Sequence, residues 1–296
     1  MKKIGIVLLS LVILALGWYL FVKKFDYQIS FKTKYGPSAI YYDFYDAQEI
    51  NRDTLLSSIK YSQLEQRSIL GDTTFLFEWN FEKNTDSTTQ VTVNIKESSH
   101  PFAARLNVLN PFNSDYVTQL KSYFKEYNWL MDEKQKKYRI DQELQETIFT
   151  GKTCVCTFSE AKINFKAHNM LDQLSILDYF FYENNVKPTG DPLLIMEKWD
   201  HDEEHIKFKF CFPLKMSDSL ALTRNTTFEN IPDFEAYGAT YNGNYKFSHR
   251  QWAEMQSQIK QKGEKVSDTI IEVYHNSPLV DTNAENWSAT VYIPKN

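Results

Sequence analysis

Ile4 to Val22 is an uncharged run of 19 residues, bounded by Lys2-Lys3 before it and Lys23-Lys24 after it. As a helix rising ~1.5 Å per residue it would measure ~28 Å, about one hydrocarbon core, so it predicts an uncleaved single-pass transmembrane anchor over residues 1–24. The run ends in Trp18, Tyr19 and Phe21 instead of a small-x-small cleavage site, the pattern of an interfacial aromatic belt. From Phe25 the pattern changes to that of an α+β unit. An alternating strand is expected near Tyr27 to Lys34, then a Gly36-Pro37 break and a short helix around Ala39 to Ala47. Phe75, Phe77, Trp79 and Phe81 alternate with polar residues, and Val91, Val93 and Ile95 repeat the alternation after a polar turn, which predicts a hairpin with one buried face. Val117, Leu120, Phe124, Tyr127 and Met131 then recur at helical spacing, predicting a long helix from about Asp115 to Lys136.

The C-terminal half repeats itself. Strand "TCVCTF", a helix over about Asn164 to Asn184, "DPLLIMEKW" and "IKFKFCFPL" are followed by "FEAYGATY", a helix, "DTIIEVYHNSP" and "SATVYIP". Both copies read strand, helix, strand, strand, so two βαββ units around a pseudo-twofold axis are expected. Ser248 and Gln251 have the spacing of a capping box, Trp252, Met255 and Ile259 form one apolar face, and Gly263 falls where a left-handed stop belongs. Along the next strand Ile270, Glu272 and Tyr274 share one face, while Ile271, Val273 and His275 share the other. If Ile271 and Val273 pack under the helix, Glu272 points away from it, toward the junction of the two copies.

Composition narrows the function classes. In 296 residues, 33 basic against 38 acidic side chains leave a net charge of −5, and no basic stretch is long enough to track a phosphate backbone, so no nucleic-acid partner is expected. Aromatics are 15% while Gly and Pro number 9 each, which excludes a disordered or collagen-like chain. Three cysteines form neither CxxC pairs nor a disulfide framework, and Cys154 and Cys156, two apart on one strand, read as inert buried thiols. Those thiols, with the lysines on both flanks of the anchor, lean toward soluble domains on the cytoplasmic side.

Two family resemblances follow from these motifs. Residues 25–140, with the closing element "HPFAARLNVLNPF…YVTQLKSYFKEY", resemble the START-like (SRPBCC-type) helix-grip superfamily, which implies a sheet gripping one long helix. Residues 141–296, through "YNGNYKFSHRQWAEMQSQIKQKGEKVSDTIIEVYHNSP…WSATVYIP", resemble the GyrI-like effector-binding domain, a tandem βαββ (SHS2-type) module of bacterial regulators. The chain lacks those regulators' helix-turn-helix segment. The resemblance implies that Glu272, in the E-V-Y strand, faces an inter-repeat cavity that takes cationic, often aromatic ligands.

A buried carboxylate is costly without a partner, and a cationic ligand would relieve it while aromatic faces add cation–π attraction. Tyr237, Tyr241, Tyr245, Trp252 and Tyr274 are the aromatics nearest Glu272 in the motif. Two alternatives stay open: an internal salt bridge or hydrogen bond for Glu272, and plain core packing for Trp252. Asn242-Gly243-Asn244 reads as a turn, and the His201 to His205 pair as a solvated hairpin tip instead of a metal site. The stripe from Phe75 to Phe81 reads as core. The expected function is a membrane-anchored small-molecule-binding protein without cofactor, enclosing an amphiphilic, cationic organic ligand. The competing expectation is a small-molecule hydrolase with Glu272 as general base.

Overall fold

The computed structural model describes residues 2–47, 54–84, 88–99, 101–109, 114–141, 143–217 and 220–295. The chain divides into two compact units, residues 1–131 and 132–296.

The first unit opens with α1 (Lys2–Gly17), followed by a π-helical turn over Trp18–Val22. This corrects the expected anchor. Among the described residues no helix is long and apolar enough to cross a membrane, and the single-pass localisation and membrane partnership expected with it fall too. The α-helix has 16 residues, about 24 Å. The remaining residues of the apolar run are held in a polar network: the Arg105 guanidinium donates to the carbonyls of Tyr19, Leu20 and Lys23, and Tyr19 OH donates to the Arg105 carbonyl. Arg105 Nε also donates to Asp26 Oδ1 at 2.7 Å, and Asp26 Oδ2 accepts from the Glu97 amide. Hydropathy registers the side chains of Trp18 to Val22 and not the carbonyls that Arg105 gathers.

Next come β1 (Tyr27–Thr33), α2 (Pro37–Ala47), β2 (Thr54–Ile59), β3 (Gln63–Leu70), β4 (Thr73–Lys83), β5 (Thr89–Glu97), α3 (Pro101–Leu109) and α4 (Asp115–Gln135). The strands form one antiparallel sheet in the order β1-β5-β4-β3-β2. The expected hairpin is β4 and β5, with Trp79 opposite Val93 and Phe81 opposite Val91. Its inward side chains are fully buried. Phe44 of α2 and Phe124 and Tyr127 of α4 pack on the Trp79 ring at 4.5, 5.4 and 5.0 Å. The aromatic stripe is therefore core, as the alternation implies.

The second unit is built from β6 (Tyr138–Ile140), β7 (Gln145–Phe149), β8 (Lys152–Lys162), α5 (Lys166–Asn184), β9 (Leu193–Asp200), β10 (His205–Pro213), β11 (Thr227–Ile231), β12 (Phe234–Gly243), α6 (His249–Gln261), β13 (Ile270–Tyr274) and β14 (Ser288–Pro294). β8-α5-β9-β10 and β12-α6-β13-β14 are two βαββ copies. Their strands run β8-β10-β9 and β13-β14-β12 in one sheet, mirrored about the β9/β13 seam. There Glu272 stands directly opposite Leu194. β11 extends one end of the sheet, while β6 and β7 both pair with β12 at the other. None of these three short strands carries enough alternation to be read from sequence.

At the seam both faces of this sheet are buried, and every residue of β13 is out of solvent. On one, Cys154, Cys156, Leu193, Cys211, Ile271 and Val273 form a cluster with Phe149 of β7 and Ile231 of β11, so strands from opposite ends of the sheet meet over it. Helices cover the other face, which carries Glu272. The expected assignment of faces is thus reversed: Ile271 and Val273 lie away from α6, because the curled sheet supplies its own apolar cover for them.

The cysteine reading also changes. Cys156 and Cys211, paired across β8 and β10, form a disulfide, and Cys154 is the buried free thiol. The spacing of Cys154 and Cys156 gave no sign of it, since the partner is 55 residues further on. Gly263 does stop α6 with φ of +78°, and Gly243 adopts φ of +126°. A Cβ at Gly243 would also meet the Tyr138 backbone at 2.6 Å.

Candidate functional site

α5 and α6 start close to the seam, and there the residues singled out from sequence separate into two groups. Glu272, on β13 and fully buried, is met from above by the first residue of α5. Lys166 Nζ donates to Glu272 Oε2 at 2.7 Å and to Ser248 Oγ, and Tyr274 OH donates to the same Oε2 at 2.8 Å. The same ammonium lies 4.6 Å from the centre of the Trp252 ring and 5.7 Å from that of Tyr274. Both charged side chains have 0% exposure. Burial holds the Lys166 ammonium below the ordinary lysine range, and the neighbouring carboxylate opposes that shift. Burial likewise raises the Tyr274 hydroxyl well above its ordinary value, so it stays a hydrogen-bond donor. Glu272 thus makes both an internal salt bridge, to Lys166, and an internal hydrogen bond, from Tyr274.

Ser248 joins this cluster at the expense of the expected capping box. Its backbone is already helical and its hydroxyl makes no cap; it donates to the Tyr245 carbonyl and accepts from Lys166. Gln251 is drawn away too, exchanging two hydrogen bonds with the Asp141 backbone. Two tertiary partners have displaced a local motif.

Beside the cluster lies a cleft of about 560 Å³. One wall is α5, through Ala167, Met170, Leu171 and Leu174; Phe210 and Phe212 of β10 form the floor, and Tyr245, Tyr274 and Trp287 form the aromatic side. Tyr245 packs edge-on to Tyr274 at 4.7 Å and against Trp287 at 5.1 Å. Its hydroxyl donates to the Ser288 carbonyl at 2.9 Å, which fixes the ring. Asp178 and Asp191 stand in the lining, and His275 Nδ1 lies 2.7 Å from Asp191 Oδ2. No lysine or arginine lines the cleft among the described residues.

Of the expected ligand residues, Tyr245 and Tyr274 reach the cleft. Glu272 and Trp252 lie behind Tyr274, outside the lining. Tyr241 and Tyr237 belong elsewhere: Tyr241 OH donates to the Asn244 carbonyl at 2.6 Å, and Tyr237 OH donates to Glu264 at 2.7 Å with Lys262 and Lys295 over its ring. Sequence reasoning passed over Lys166 and the α5 wall. Their signal was there, in the first residue of the first copy's helix and in the spacing of Ala167, Met170, Leu171 and Leu174. The hairpin tip between β9 and β10 is residues 201–204, and His205 opens β10.

No family model matches the chain, and no curated protein matches it. Some solved structures are similar to part of the chain. The C-terminal domain of EcmrR is 10% identical, covers 52% of this chain and 97% of its own, and superposes with a TM-score of 0.44. SAV2435 bound to tetraphenylphosphonium is 14% identical over 52% of this chain and 94% of its own, with a TM-score of 0.39. A hydrolase from Listeria innocua is 10% identical over 56% of this chain and 97% of its own, with a TM-score of 0.37.

Proposed function

We propose that the second unit is a GyrI-like small-molecule-binding module that takes a cationic, largely apolar organic molecule in the cleft beside α5. The cleft's composition carries this reading: aromatic and aliphatic walls enclose about 560 Å³, with two carboxylates and, among the described residues, no basic side chain but His275 in the lining. That volume is in the usual range for a small-molecule site. The aromatic side gives the cation a favourable π face, and Asp178 and Asp191 give it charge. In the same reading the first unit is a START-like module whose interior is taken up by its own rings. Glu272 has no part in activating water here, because it is paired with Lys166 behind Tyr274.

Tetraphenylphosphonium is a suitable probe, titrated into the full chain against neutral triphenylphosphine oxide and followed by tryptophan fluorescence. The phosphonium should bind more tightly. Asp178→Asn with Asp191→Asn should weaken it severalfold at low salt and less at high salt, as expected of exposed charges contributing up to ~1 kcal/mol each. Equal affinity for the charged and neutral probes, or no binding of either, would overturn the reading.

A further inference from the structure

The groups around Lys166 have the composition of an ammonium-binding site. Glu272 supplies the counter-charge, Ser248 a hydroxyl acceptor, and Trp252 and Tyr274 two ring faces. All four come from the second βαββ copy or the turn leading into its helix. The ammonium alone comes from the first copy. The fit leaves loose ends: Glu272 Oε1 and Trp252 Nε1 are buried with no hydrogen-bond partner among the described residues. Burying both charges of a pair rarely gains stability over an apolar pair of similar shape, so core packing alone does not account for the arrangement.

We propose that Lys166 is a specificity-determining residue, a tethered cation that fills an ammonium site built by the second copy. Only Tyr274 belongs both to this site and to the cleft. With Lys166 in place, a slender primary ammonium cannot reach Glu272. On the binding reading above, the cation of a ligand is then left to Asp178 and Asp191, which favours bulky cations over linear amines. Lys166 starts the helix whose next turns form the cleft wall, so site and wall are set by one residue's anchorage.

Lys166→Ala in the full chain tests this with n-butylammonium at neutral pH, read by thermal unfolding. Butylammonium should raise the melting temperature of this variant in a dose-dependent way and leave the wild type unmoved. n-Butanol should fail to replace it, and the Lys166→Ala/Glu272→Ala double variant should not respond. If Lys166→Ala is unfolded at room temperature, recovery of its circular dichroism signal with butylammonium is the supporting result. In a titration, 3-phenylpropylammonium should bind a folded Lys166→Ala at least tenfold more tightly than wild type. No response of the single variant in either form, or an equal response of wild type or double variant, would overturn the proposal. The butylammonium readout does not use the outer cleft, so failure of the cleft to bind tetraphenylphosphonium would leave this result standing.

Discussion

Each unit buries a tryptophan completely, and the two indoles differ in what surrounds them. Trp79 lies among Phe44, Phe77, Phe124 and Tyr127, and its Nε1–H donates to Gln66 Oε1 at 2.9 Å. Trp252 has an ammonium over its face, Trp199 at its edge at 6.0 Å, and no acceptor for its Nε1–H among the described residues. The first environment is what packing alone selects: rings on rings and the indole N–H satisfied. The second sets an ammonium against the indole face and leaves the Trp252 N–H and Glu272 Oε1 without partners among the described residues. Burial by itself does not distinguish them; the hydrogen-bond inventory does.

The sharpest way to break this contrast is to remove the cation. Lys166→Met should lower stability by ~3 to 5 kcal/mol, because Glu272 is left buried beside an apolar chain. Adding Glu272→Gln should recover most of that loss. Urea unfolding of the single and double variants measures it, and additive losses would mean that the two side chains are not a coupled pair.

A smaller effect separates the tryptophans themselves. Trp79→Phe strands the buried Gln66 acceptor, at a cost of ~1 to 3 kcal/mol beyond the change in packing. Trp252→Phe removes an N–H that had no partner and keeps a ring under Lys166. The first should therefore be the more damaging by urea titration; equal losses would erase the distinction.

The smallest effect is expected in alkali and belongs to the second unit. Burial pushes the Cys154 thiol up from 9.0 to about 12. Between those values the unfolded chain has lost the proton that the folded chain keeps, so this group's contribution to stability falls as pH rises from 9 toward 12. Cys154→Ala should flatten the thiol's part of the decline, seen as a smaller drop in melting temperature between pH 8.5 and 10. An unchanged slope would show Cys154 to be solvated.

Strong periodicity survived the passage from sequence to structure, and local chemistry often did not. β4, β5, α4 and both βαββ copies were legible because each repeats one spacing over several residues and buries the face that spacing defines. Glu272 was legible as an anomaly between Ile270 and Tyr274. Its partner was not, since Lys166 lies 106 residues away and an isolated lysine in sequence resembles any other. The capping box failed for the same reason: Ser248 and Gln251 had the right local spacing, but distant groups competed for their side chains. The apolar run was misread because hydropathy records side chains, whereas Arg105 binds the carbonyls beneath them.

The Cys156–Cys211 bond makes the two copies mechanically unlike. It closes a ring over a sequence separation of 55 residues, around α5 and β9; the second copy contains no cysteine. A chain drawn out by its ends would extend the second copy fully but withhold the ring, roughly 180 to 200 Å of contour length at ~3.3 to 3.6 Å per residue. In single-molecule stretching that missing length should appear when a reductant is added. Lys166 would leave Glu272 with its own ring intact: under tension the guest stays coiled while the host unravels.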